Sequence, residues 1–371
     1  MRDIAKGSAP PTAKLERMQS LRGVAVLMVV LFHAVSNYAP AGSMLRADGI
    51  YNFLSGGVDV FFVISGFIIH YTTRDHYGAG EAVDFMKKRI ARIVPLYWLV
   101  TAIVVAIGIA APSLLRSYVF DPAHAIASLA FIPWRRPDGD VFPPLVPGWS
   151  LNFEMFFYVA YATLMIVAPR RLILMSMTAL FCVGYAVVGI LRLDPQLFVF
   201  GHGVVFEFLI GVALADIWTE RDGRFPRWLG PVCLMLSAPL IMLSHQTSIF
   251  TTVAHICGFG LLATGAATMA TPRATAPIGR LLARVGDASY SIYLTHPLLL
   301  GVIAVAWRKT LGGQIDGFGE MVSMTLLGVG AGSVCYALIE KPLGPLARRW
   351  LAIGGVKPAG NLLPAVAPNA R

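Results

Sequence analysis

Ten apolar segments, each long enough to cross a bilayer as a helix, dictate most of what this chain can fold into. They fall at about 21–38, 52–71, 91–111, 147–168, 171–191, 200–218, 228–244, 250–270, 287–307 and 319–339, and a spanning helix needs about 20 mostly apolar residues. A lone strand in hydrocarbon would leave its backbone N–H and C=O groups unpaired, so each segment must be helical. Only 13% of the residues are charged, about half the ~25% of a soluble domain. The sequence therefore predicts an all-α integral membrane protein of about ten transmembrane helices, with the lipid bilayer as its solvent. A further apolar piece, His124 to Trp134, is too short to cross and reads as a re-entrant or interfacial helix near 124–134.

The net charge of +10 invites a nucleic-acid partner, but the positions of the charges exclude that reading. With the N-terminus inside, 23 of the 30 lysines and arginines fall on cytoplasmic segments and 7 on outer ones. This is the positive-inside pattern, and it predicts an N-in, C-in topology. The expected organisation is a cytoplasmic tail over 1–18, one transmembrane domain over 19–345 and a second cytoplasmic tail over 346–371. Ala39-Pro-Ala41 loosely imitates a leader cleavage site, but a histidine inside the preceding apolar core is unusual for a leader. The four cysteines stand singly in apolar spans, so no metal site and no disulfide framework is expected. No internal repeat is visible, which weakens a secondary-transporter reading.

The polar residues inside these spans are the candidates for function, because ionisable groups in lipid turn toward a protein interior or a water-filled cavity. Arg22 and His33 are eleven residues apart, which places them on one helix face, roughly 16 Å apart along the axis. Asp59 and His33 lie at similar depth, as a base and its orienting carboxylate require. Ser150, Glu154 and Tyr158 recur every four residues and form one polar stripe, with Glu154 at that same depth. Glu207 lies at similar depth in the sixth span, and His296 precedes Pro297 near mid-membrane in the ninth. Arg89 and Arg92 share a face if helical, and paired arginines at a cytoplasmic membrane edge suit bidentate capture of phosphate.

Each candidate also has a plainer reading. A buried histidine or carboxylate can be an interhelical hydrogen bond, the arginines can anchor headgroups, and Ser65 can be a packing contact. Gly56, Gly57 and Gly66 permit close helix approach. His255 reads as a packing histidine, and Glu340-Lys341-Pro342 as the end of the tenth helix. Three ionisable groups at one depth are harder to dismiss than any one alone.

Together these residues resemble the membrane-bound acyltransferase family three. The features are Arg22-x10-His33, GVDVFFVISGF at 57–67, Arg89-x-x-Arg92, GWSLNFEMFFY at 148–158, SYSIYLTHP at 289–297 and EKP at 340–342. MQSLRG at 18–23 and FIPWRRPDG at 131–139 look most like its exopolysaccharide-production branch. No appended esterase-type domain is expected, the chain ending soon after the tenth span.

The resemblance implies an O-acyltransferase of the bacterial cytoplasmic (inner) membrane. Its donor would be acyl-CoA, most simply acetyl-CoA, arriving from the cytoplasm as a substrate, with no permanently bound cofactor. Its acceptor would be a polysaccharide or related glycan on the outer side, with polysaccharide assembly proteins as further partners. Arg22, Arg89 and Arg92 then become donor-binding residues. His33 becomes a catalytic base or transient acyl carrier, with Asp59 or Glu154 fixing its tautomer. Ser65, Trp149, Ser150, Tyr158, Glu207 and His296 become acceptor or cavity residues. Without the resemblance, a proton-coupled exporter or flippase of a glycan or lipid-linked glycan stands beside it, using His33, Asp59, Glu154 and Glu207 as a relay.

Overall fold

The computed structural model describes residues 11–40, 42–111, 120–136, 139–243, 249–269, 277–311 and 317–353. The expected tails, where they cover 1–10 and 354–371, lie outside the described residues. Within them the regular structure is helical, with no strand. The helices are α1 (Pro11–Tyr38), α2 (Asp48–Ser55), α3 (Gly57–Thr72), α4 (Ala79–Ala110), α5 (Pro122–Leu129), α6 (Gly148–Val167) and α7 (Ile173–Ile190). There follow α8 (Val205–Glu220), α9 (Leu229–Met242), α10 (Ile249–Thr268), α11 (Pro277–Asp287), α12 (Ser289–Leu311), α13 (Gly317–Cys335) and α14 (Lys341–Trp350).

Among the described residues, eight helical stretches are long and apolar enough to cross a membrane. The two other expected spans are the shorter helices α8 and α9, of 16 and 14 residues. α8 carries Glu207, Asp216 and Glu220 and is held in the bundle along α3, while α9 packs on α10. Lipid-facing positions read as a solvent boundary: α7 exposes Met175, Leu180, Val183 and Ile190, a patch that water would not tolerate and hydrocarbon does.

The α3–α8 seam depends on the absence of side chains. A Cβ on Gly66 would lie 2.0 Å from the Phe208 carbonyl oxygen, and one on Gly211 2.0 Å from that of Val63. With lipid as apolar as the helices themselves, such backbone contact supplies the packing energy that water would otherwise provide. Next to the seam, Phe157 stacks on Phe208 with ring centroids 4.3 Å apart. At the far end of α3, the His70 ring bridges the Tyr161 hydroxyl and Asp216, each at 2.8 Å, tying α3, α6 and α8 together.

Three local departures from the sequence reading bear on the site. The second span breaks at Gly56, whose N–H closes α2 on the Asn52 carbonyl at 3.3 Å. Asp59 therefore sits in the first turn of α3, where unpaired N–H groups and the helix dipole favour a carboxylate. The short apolar piece is helical only to Leu129. It is capped by Asp121 and tied to α4 through Tyr97 and Ser128, whose hydroxyls are 2.7 Å apart. Glu340-Lys341-Pro342 does not end the tenth helix, which passes through a π turn at Tyr336–Glu340 and continues as α14 across the expected boundary at 345. Pro342 lies in the first turn of α14, and the wider turn before it tolerates the missing N–H.

Candidate active site

Helices α1, α3, α4, α6 and α12 enclose a cavity of about 100 Å³ that carries most of the expected polar residues. Arg22, Arg89 and Arg92 line it, and so does the α6 stripe of Ser150, Glu154 and Tyr158. The four-residue spacing on α6 thus faces one space, as its helical period predicts. Glu154 Oε1 accepts from the Tyr158 hydroxyl and, at 3.2 Å, from the Ser65 hydroxyl. Ser65 is therefore a cavity residue and a partner of the carboxylate.

The arginines have little to hold them. Arg22 donates from Nε and Nη2 to the Ser289 hydroxyl at 3.2 and 3.0 Å. The Arg89 guanidinium lies over the rings of Phe85 and Tyr158, 5.3 and 5.7 Å from their centroids. Its buried Nε has no hydrogen-bond partner among the described residues. Three guanidinium groups thus share a cavity with one lining carboxylate, Glu154. Glu340, outside the lining, is a second acid that acts on Arg22 and Arg92, and the positive charge still in excess favours an anion.

His33 lies away from that cavity, beside a second histidine. Its Nδ1 is 2.9 Å from the Val29 carbonyl, and a carbonyl only accepts, so Nδ1 carries the proton and the neutral ring keeps its lone pair on Nε2. The His33 and His296 rings meet at 4.6 Å between centroids, inclined at 63°. His296 arrives by a specific route. Pro297 has no N–H to give the Tyr293 carbonyl, and His296 Nδ1 donates to that oxygen instead, at 2.6 Å. The fully buried His296 is left with an Nε2 that no hydrogen bond satisfies among the described residues. Ser289, Tyr293 and His296 lie on one face of α12, linking the cavity to the histidine pair.

Asp59 and Glu207 belong to neither group. Asp59 Oδ1 is 2.9 Å from His255 Nε2, and Glu207 is buried next to them. Of the residues expected at one depth, the structure divides His33, Glu154 and the Asp59–Glu207 pair among three locations. Neither Asp59 nor Glu154 is hydrogen-bonded to His33; the carbonyl of Val29 orients the ring. His255, expected as a packing histidine, is the ionic partner of Asp59. Trp149 packs edge-on to Phe62 and Phe153 behind the cavity.

Two participants escaped the sequence reading. Ser289 and Tyr293 stood in the SYSIYLTHP run, and their spacing to His296 would have found them. The Tyr293 hydroxyl is fixed by the Ser150 hydroxyl at 2.8 Å and the Pro147 carbonyl at 3.2 Å, which plants its ring at the wall between cavity and histidines.

Comparison with known proteins places this chain in a family. Residues 15–340 match the family described as an acyltransferase domain. The chain is 35% identical over 302 residues to the exopolysaccharide production protein ExoZ of Rhizobium meliloti (strain 1021), covering 78% of this chain and 89% of that protein. It is 24% identical over 362 residues to BcsY of Komagataeibacter xylinus, proposed to be a membrane-bound transacylase, covering 92% and 86%. It is 25% identical over 364 residues to YrhL of Bacillus subtilis (strain 168), proposed to be a peptidoglycan O-acetyltransferase, covering 88% of this chain and 54% of that protein. No solved structure matches the chain.

Proposed function

The chain belongs to the acyltransferase family that its residues 15–340 match, and on that premise we propose that it moves an acyl group, acetyl in the simplest case, from cytoplasmic acyl-CoA to a hydroxyl of an extracytoplasmic polysaccharide. That it is a multi-pass membrane O-acyltransferase follows from the family, its relatives and the helices. The donor, the acceptor, the inner-membrane location and the residue roles are our reading. The observation that carries it is the cavity in which Arg22, Arg89 and Arg92 outnumber their one lining carboxylate. Guanidinium groups in that arrangement recognise phosphate, which acyl-CoA carries and a bare glycan does not. The cavity, of about 100 Å³, would take a phosphate-bearing or thioester-bearing part of the donor. The flexible pantetheine arm must then pass Tyr293 to reach His33.

At the far end, His33 is the catalytic base. Its Nε2 lone pair takes the proton of the acceptor hydroxyl while the oxygen attacks the thioester carbonyl. The tetrahedral intermediate collapses, the C–S bond breaks, and the imidazolium returns the proton to the departing thiolate. His296 Nε2, buried and without a hydrogen bond, is placed to accept from a second acceptor hydroxyl and hold the glycan in position. ExoZ is named for exopolysaccharide production, which supports a polysaccharide acceptor here. Polysaccharide assembly proteins are the partners such an acceptor would bring.

The test is transfer of labelled acetyl from acetyl-CoA to a purified exopolysaccharide by the protein in nanodiscs, at a series of donor concentrations with ADP as competitor. The reading expects transfer inhibited by ADP. Transfer that ADP does not slow would remove the phosphate role from the cavity.

A further inference from the structure

Asp59, Glu207 and His255 come from helices far apart in sequence, and one ligating atom of each lies within 4.8 Å of the other two. Asp59 and Glu207 sit in the first turns of α3 and α8, and His255 lies on α10. Glu207 is completely buried, and neither of its carboxylate oxygens has a hydrogen-bond partner among the described residues. A carboxylate so placed in a membrane protein needs a cation close by.

Two kinds of cation can answer, a proton shared between the two carboxyl groups or a metal ion. A shared proton would serve Asp59 and Glu207 alone, whereas His255, facing them with Nε2 2.9 Å from Asp59 Oδ1, gives a metal ion a third ligand. Ligands bound tetrahedrally to one ion at about 2.0–2.2 Å stand about 3.3–3.6 Å apart. The observed spread of at most 4.8 Å therefore closes onto an ion with a contraction of at most about 1.5 Å. Two carboxylates and a neutral imidazole around a dication also sum to zero charge, which suits a low-dielectric interior. The imidazole selects the zinc class over magnesium or calcium. With a third of its side chain exposed, 31%, His255 gives the ion a way in.

We propose that Asp59, Glu207 and His255 form a membrane-embedded site for a divalent transition ion, with zinc the best match. His255 would give up its hydrogen bond to Asp59 and ligate through the Nε2 lone pair, its proton held on Nδ1 or released. The ion would clamp the first turns of α3 and α8 against α10, and α3 is the helix whose Phe61, Phe62 and Ser65 line the arginine cavity. The site is invisible to cysteine spacing because its ligands are carboxylates and a histidine scattered over three helices.

The experiment takes the full chain in nanodiscs, strips it with a chelator and titrates it with Zn²⁺ alone against a chromophoric competitor. A Co²⁺ titration reads the ligand set from visible absorption. The expected result is about one tightly held zinc per chain. Glu207→Gln and His255→Ala should weaken it by at least roughly tenfold, while Glu154→Gln, in the other cavity, keeps it. His255→Cys guards against variants that fail to fold: it should retain zinc and add a thiolate-to-cobalt charge-transfer band. Wild-type protein that holds no stoichiometric zinc, or a His255→Cys protein that binds cobalt without the new band, would overturn the proposal.

Discussion

The arginine cavity and the Asp59–Glu207–His255 cluster are built from the same kind of residue in the same bundle, yet their charge balances are opposite. The cavity gathers three guanidinium groups around one lining carboxylate. The cluster gathers two carboxylates around one partly exposed histidine. A membrane interior tolerates neither excess without a counter-charge. The difference teaches that each region pairs only part of its charge internally and leaves an excess, of one sign in the cavity and of the other in the cluster. The cavity suits an anion that comes and goes, the cluster a cation that stays.

This contrast can be broken at the helix that serves both. Gly66→Val would drive a side chain into the Phe208 carbonyl on the α3–α8 seam. The expected cost exceeds about 4 kcal/mol, read as loss of monodisperse protein from detergent extracts. A well-behaved Gly66→Val protein would mean that the seam is softer than its geometry.

Next in size is His255→Ala, which strands two buried carboxylates. Removing one partner of such a group costs about 3–5 kcal/mol, so the thermal midpoint in detergent should fall by roughly 5 °C. Arg92→Ala should act with the opposite sign. By relieving like-charge crowding it raises the midpoint slightly, while the donor concentration for half-maximal rate rises by roughly tenfold, the value of one charge-assisted contact. A fall in midpoint for both variants would erase the distinction between the two regions. The smallest effect is expected for Glu154→Gln, which keeps the shape of the Tyr158 and Ser65 partner. Turnover should drop several-fold, by about 1 kcal/mol, with accumulation intact; the reverse pattern would make Glu154 structural.

The helical membrane architecture was legible because spanning length and the backbone's need for internal hydrogen bonds leave few alternatives. The α6 stripe was legible for the same reason: a period of four residues fixes a face whatever the neighbours do. What could not be read was which faces meet. Equal depth put His33 and Asp59 together, but depth is one coordinate of three. The break at Gly56 and the packing of α3 on α8 and α10 carried Asp59 to His255 instead. The π turn at Tyr336–Glu340 was hidden because proline next to charge reads as an ending, while Glu340 is drawn inward by the Ser291 hydroxyl at 2.5 Å. His296 was readable as a candidate, but its tautomer depended on seeing that Pro297 frees the carbonyl of Tyr293.

The central claim is that acyl transfer passes through the bundle by way of His33. It is tested most directly in sealed vesicles of known orientation, with labelled acetyl-CoA on the cytoplasmic face and glycan on the other. The account predicts label on the glycan with wild-type protein and a loss of roughly 10²–10⁴-fold with His33→Ala, the variant remaining in the membrane. Undiminished labelling by His33→Ala would contradict it. So would glycan that crosses the bilayer down a proton gradient while no label moves, and the buried carboxylates and histidines would then be a proton relay.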